Sequence, residues 1–235
     1  MPCHIYPLGD QAIVIDWGNR IDTGLNQQVR AVHAHLRDHP LPGIRDLVPA
    51  YSSLTILLDL GELLQQSPGR PPFEMMRTQL DRMLPGLENR PVQEGRRVDI
   101  PVCYDPSLAP DLETVAGFSG MHSSDVVEMH AGREYLVYLL GFLPGFAYMG
   151  SVDARIAAPR RPQPRSQVPA GSVGIAGEQT GIYPLQSPGG WNLIGRTPLR
   201  LFDPYRPEPA LLQAGDRVRF FAISLQAFQR QMQTP

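Results

Sequence analysis

VPAGSVGIAGEQTGIYPLQSPGGWNLIGRTP spans Val168 to Pro198 and holds seven glycines and four prolines. A tether of that composition would be polar and of low complexity. This stretch instead interleaves its turn residues with Val173, Ile175, Ile182, Tyr183, Leu185, Trp191, Leu193 and Ile194. Each short run has something apolar to bury, and the glycines between them allow tight turns and close backbone approach. The stretch therefore reads as a folded segment of β structure. Upstream, REYLVYLLGF (Arg133–Phe142) reads as a long central strand, and downstream AGDRVRFFAIS (Ala214–Ser224) turns at Gly215-Asp216 into another. No amphipathic helix is expected for about 60 residues after Phe142, which predicts a closed or nearly closed β-barrel. The barrel region opens with VDIPVCY, alternating from Val98 to Tyr104. A short helix capped by Asp111 and a second opened by Ser123 or Ser124 follow it.

The chain before this point has a different texture. AIVID (Ala12–Asp16) is a strand; Leu25, Val29, Val32 and Leu36 recur at helical spacing, with Asp22 or Thr23 as cap and Pro40 as stop. GIRDLVP and SSLTILLD form a hairpin about Ala50-Tyr51. Phe73, Met76, Leu80 and Leu84 share one helical face that ends at Pro85-Gly86. This β-α-β-β-α order predicts a small α/β domain of split-βαβ type over residues 1–92. Polar Glu88–Arg97 forms a linker, and the barrel domain occupies 93–235. The fold class is α+β.

Composition narrows the chemistry. Among 235 residues there is no lysine, so all 21 basic residues are arginines. A phosphate loop with its Lys and a Schiff-base Lys are both excluded. Nothing in this chain is expected to bind ATP. A net charge of −2 gives no footprint for nucleic acid. No apolar run reaches the roughly 18 residues of a membrane span, and the N-terminus shows no basic-then-apolar leader, so a cytoplasmic location is expected. Cys3 and Cys103 read as free thiols. His35 and His39 share a helix face, where a solvated pair at the helix C-terminus is favoured over a metal site.

Between Ala154 and Arg200 stand Arg155, Arg160, Arg161, Arg165, Arg196 and Arg200 against a single acid, Glu178. Guanidinium forks bind carboxylates, so a small anionic ligand is the natural partner; pairing with Asp153 and Asp203 is the competing use. AGSVG about Ser172 lacks the nucleophile-elbow pattern. All six histidines precede residue 131, leaving His130 as the nearest base. No catalytic nucleophile is assigned.

GFLPGFAYMG (Gly141–Gly150), the run from Ala158 to Pro204, VPAYSSL (Val48–Leu54) and AGDRVRF (Ala214–Phe220) together resemble one family. It is called KipI, allophanate hydrolase subunit 1 or the 5-oxoprolinase B subunit (PxpB). The resemblance implies an N-terminal α/β domain and a cyclophilin-like C-terminal barrel. It implies a chain that works with a KipA-type partner (the 5-oxoprolinase C subunit, or allophanate hydrolase subunit 2) and a LamB/YcsF-type A subunit. That complex hydrolyses 5-oxoproline to glutamate at the expense of ATP bound on a partner. Two other roles belong to the same family: inhibition of a sensor histidine kinase, and part of an allophanate or urea-amide hydrolase. Carried over onto this chain, the motif implies a binding wall of Arg160, Arg165, Gln179, Tyr183, Trp191 and Arg196, with Phe142 and Phe146 lining the same groove. Asp105-Pro106 and Gln167 depart from the family's usual glycines and basic residue.

Overall fold

The structure, a computed structural model, describes residues 3–66, 69–87 and 95–233. Most of the expected linker lies outside them. The chain divides into two compact units, residues 1–93 and 94–235.

In the first unit β1 (His4–Pro7) and β2 (Ala12–Asp16) lead into α1 (Thr23–Asp38), then β3 (Ile44–Pro49), β4 (Ser53–Leu58), α2 (Leu60–Gln66) and α3 (Pro72–Met83). The sheet order is β1-β2-β4-β3, every pairing antiparallel. β2 and β3 therefore run parallel with β4 between them, which is the split βαβ arrangement. Asp22 caps α1 by accepting the Leu25 amide at 2.9 Å, satisfying one of the donors a helix start leaves free. Leu25, Val29, Val32 and Leu36 turn one stripe of α1 onto Ile13, Ile15, Leu54 and Ile56. The alternation of β4, buried at Leu54, Ile56 and Leu58, supplies the facing surface. Residue spacing does not predict β1 and α2: each is short, and neither carries a full period of apolar residues.

The second unit runs β5 (Arg97–Val102), α4 (Leu112–Ser119), α5 (Ser123–Ala131), β6 (Glu134–Leu140), β7 (Ala147–Gly150), β8 (Arg165–Val168), β9 (Ser172–Ala176), β10 (Gln179–Ile182), β11 (Ser187–Gly189), β12 (Asn192–Arg196), β13 (Arg217–Ala222) and α6 (Leu225–Gln233). Seven strands form one sheet in the order β12-β9-β10-β7-β6-β13-β5, while β8 pairs with β11. Within that sheet only β13 and β5 run parallel. The outer strands of the seven approach each other through one antiparallel bridge, Cys103 to Arg196, whose backbones exchange hydrogen bonds of 2.8 and 2.9 Å. Gly195 makes that approach possible: a Cβ there would stand 2.6 Å from Val102 Cγ1. The sheet is thus a nearly closed barrel. Its interior packs Ile100, Val102, Val137, Met149, Val173, Ile175, Ile182, Ile194 and Phe220.

Two local expectations are corrected here. α5 is capped by His122, not a serine; the His122 amide donates to Asp125 in a reciprocal box. Asp111 stands at the N-cap of α4, but its side chain makes no capping bond. α6 follows from no sequence signal noted above, and it buries only Phe228.

Candidate functional site: an aromatic cleft with one free arginine

Between β6 and β7 the chain turns tightly through Gly141–Phe146. The Leu143 amide donates to Gly141 O at 2.8 Å across Phe142, and Phe146 N donates to Leu143 O at 3.0 Å. Phe142 is held at φ +67°, the one side-chain-bearing residue with positive φ among those described. That conformation is costly for an aromatic residue, on the order of 1–3 kcal/mol. It leaves the Phe142 ring 62% exposed and perpendicular to the buried Phe146 ring at 5.6 Å. Phe146 is a hub, with Tyr148, Tyr183 and Trp191 at 4.8, 5.2 and 5.5 Å between ring centres. The last two contacts are edge-on, the arrangement aromatic quadrupoles favour.

The indole of Trp191 has a purpose-shaped floor. Gly174 on β9 sits directly opposite Gly181 on β10. Their strand neighbours Val173, Ile175 and Ile182 point into the main core. On the other face a Cβ at Gly181 would come within 3.1 Å of both Trp191 and Phe146, and one at Gly174 within 3.1 Å of the Trp191 Cβ. The glycine pair therefore lets a large ring lie against bare backbone.

Phe142, Phe146, Tyr148, Tyr183 and Trp191 thus wall a cleft of about 290 Å³, rimmed by Pro164, Pro188 and Gly189-Gly190, with Arg160 as its one charged residue. Arg160 is exposed and makes no ion pair among the described residues, while its charge reaches the Tyr148 and Tyr183 phenols. Burial raises the pKa of both phenols; the Tyr183 hydroxyl is also engaged by the Trp191 backbone. Both are protonated near neutrality. Among the described residues no carboxylate, imidazole or thiol lines the cleft. It can hold an anionic group above apolar walls, and among the described residues its only uncharged titratable side chains are the Tyr148 and Tyr183 phenols.

Of the residues singled out from the sequence, Arg160, Tyr183, Trp191, Phe142 and Phe146 come together here, while Arg165, Gln179 and Arg196 do not line the cleft. Arg165 turns to Asp111 in a two-pronged pair of 2.8 Å contacts. Arg196 donates from Nε to Ala170 O at 2.8 Å and lies 5.9 Å from the Phe228 ring centre. Gln179 sits at the β10 start, opposite Ala176 and Gly150. Arg155 and Arg200 pair with Asp153 and Asp203. Tyr148 and Pro164 escape the sequence reading, although Tyr148 stands two residues from Phe146, the spacing that keeps strand side chains on one face.

The residues considered for nucleophilic chemistry lie elsewhere. Ser172 is buried, and His130 hydrogen-bonds to Tyr104 at 2.8 Å and Thr180 at 2.9 Å. Thr180 Oγ1 donates to Gly174 O at 3.1 Å, so it accepts from Nε2–H, and Nδ1 accepts from the Tyr104 hydroxyl. This is a satisfied buried relay inside the barrel wall. No helix among the described residues is long and apolar enough to cross a membrane.

Comparison with known proteins places the chain in a family. The family model described as carboxyltransferase domain, subdomain C and D, matches residues 3–212. The chain is 44% identical over 222 residues to the 5-oxoprolinase B subunit of Bacillus subtilis, covering 94% of this chain and 92% of that one. The crystal structure of TTHA0988 superposes with a TM-score of 0.78 at 40% identity, over 91% of this chain and 40% of that one. The chain thus spans less than half of that solved relative. Urea carboxylase of Kluyveromyces lactis shares the fold alone: TM-score 0.77 at 18% identity, over 97% of this chain and 22% of that one. By its motif, its barrel and the match across nearly its whole length, the chain belongs to the carboxyltransferase subdomain C and D family, the group that includes the 5-oxoprolinase B subunits.

Proposed function

We propose that the chain is the B subunit of an ATP-dependent 5-oxoprolinase, acting with a KipA-type C subunit and a LamB/YcsF-type A subunit to open 5-oxoproline to glutamate. The observation that carries this reading is the near full-length likeness to a protein named as a 5-oxoprolinase B subunit. The cleft agrees with it in kind. Arg160 takes the substrate carboxylate, and the aromatic walls take the five-membered ring. Ring opening breaks the lactam C–N bond as water delivers hydroxyl to the acyl carbon and a proton to nitrogen. Among the described residues the cleft has no carboxylate, imidazole or thiol to activate that water, so a facing protein of the complex supplies the base. ATP also binds on a partner, since a chain without lysine has no ordinary phosphate loop.

The test is reconstitution. The chain, mixed with candidate A and C subunits, is expected to release phosphate and glutamate only when 5-oxoproline and all three chains are present. Arg160→Ala should weaken that activity by roughly 10- to 100-fold, the loss of one charge-assisted contact. Turnover of 5-oxoproline by this chain alone, or none by the full set, would overturn the proposal.

A further inference from the structure

Three arginines crowd the segment that carries the cleft's cation, and they have different fates. Asp111, whose side chain is 3% exposed, accepts Arg161 Nη1 at 2.7 Å and both Arg165 Nη atoms at 2.8 Å. It also accepts the Leu193 amide of β12 at 2.7 Å, two residues after Trp191. Two further ties fix the same segment: Asn192 Nδ2 donates to Pro159 O at 2.8 Å, and Arg161 N donates to Gly190 O at 2.8 Å. Arg160 therefore stands between two residues whose backbones are pinned to Gly190 and Asn192, the two residues that flank Trp191. Among the described residues its own guanidinium is left without an acid.

We propose that Asp111 is the positioning residue of the cleft: by holding Arg161 and Arg165 it fixes the 159–165 segment so that Arg160 alone faces a ligand carboxylate. The role rests on the reading of the cleft as a carboxylate site. It explains why a residue at a helix N-cap leaves the cap unmade. Asp111 touches no ligand; its effect passes through the backbone of its partners.

The full chain provides its own readout, since Trp191 forms part of the wall. In a Trp17→Phe background, fluorescence titration with 5-oxoproline, its uncharged amide and benzoate reports binding. Asp111→Asn is expected to weaken both carboxylates about 10- to 100-fold, as loss of Arg160 does, and to leave the amide unchanged. Asp111→Asn combined with Arg160→Ala should add little to either alone, because both act on one contact. Arg161→Ala keeps the two-pronged Arg165 pair; it should stay folded and lose affinity for the carboxylates but not for the amide. Should Asp111→Asn fail to fold, this variant decides. Losses that multiply independently, equal losses for amide and carboxylate, or unchanged carboxylate affinity in Arg161→Ala would overturn the role. Binding of benzoate but not 5-oxoproline by the wild type would remove the proposed substrate and leave the positioning role standing; binding of no carboxylate would remove both.

Discussion

Two aspartates occupy the same formal position in the two units. Asp22 opens α1 in the first unit and does what a cap does, accepting the amide three residues on. Asp111 opens α4 in the second and gives its carboxylate to two arginines and a strand amide 82 residues away. The first is a local device whose partner is set by helix geometry. The second joins distant segments. The contrast extends to the units as wholes. The first takes its order from periodic apolar faces, and the second from a few long-range polar ties and from glycines that let chains and rings approach.

Acid should separate the two most strongly. His130 is buried as the neutral imidazole, which burial holds down to a pKa of about 3 against 6.5 unfolded. Its contribution is complete above pH 6.5 and is lost as the pH falls from there towards 3. The slope is about 1.4 kcal/mol per pH unit, so the barrel loses about 5 kcal/mol over that window. Each unit holds one tryptophan, Trp17 and Trp191, so single-tryptophan variants follow each by denaturant titration. The Trp191 transition should fall steeply between pH 6.5 and 4. That of Trp17 should fall less, since among the described residues of its unit the half-buried His33 alone is shifted the same way, by burial first and Arg37 second. Equal slopes would break the contrast.

The aspartates give the next two effects. Asp111→Ala leaves two partly buried guanidiniums without their acid and should destabilise the barrel by roughly 3–5 kcal/mol, read from the Trp191 midpoint with the Trp17 midpoint unmoved. Asp22→Ala should cost its own unit only about 1 kcal/mol, read from Trp17. A loss at Asp111 no larger than that at Asp22 would mean that the ion cluster is no more than another cap.

The same division governs what could be read from the sequence. α1, β3 and β4 follow from apolar spacing because local geometry alone decides which side is buried. The barrel was legible from Gly-Pro turns between apolar runs, since a segment with so many turn residues and so much to bury has few other solutions. The cleft was half legible. Trp191, Tyr183, Phe146, Phe142 and Arg160 are brought together, but nothing in spacing says which of Arg160, Arg161 and Arg165 remains free. That depends on Asp111, some fifty residues upstream, whose sequence context is that of an ordinary helix cap. Nor does the sequence distinguish Gly174 and Gly181, which make room for a ring, from glycines that merely turn the chain.

The single rung between Cys103 and Arg196 carries a consequence for solubility. A sheet that closes on itself offers no free strand to another molecule, whereas an open one presents two rows of unpaired amides and carbonyls. Here, among the described residues, the strand-to-strand closure is one residue pair and two hydrogen bonds, while Asp111 covers the Leu193 amide and carbonyl on β12. Even a methyl group at Gly195 would push Val102 away and part the pair. Such a change would free the backbone groups of Cys103 and Arg196, and the strand edge of another copy could then take them. The glycine at that position guards the chain against its neighbours as much as it shapes the fold.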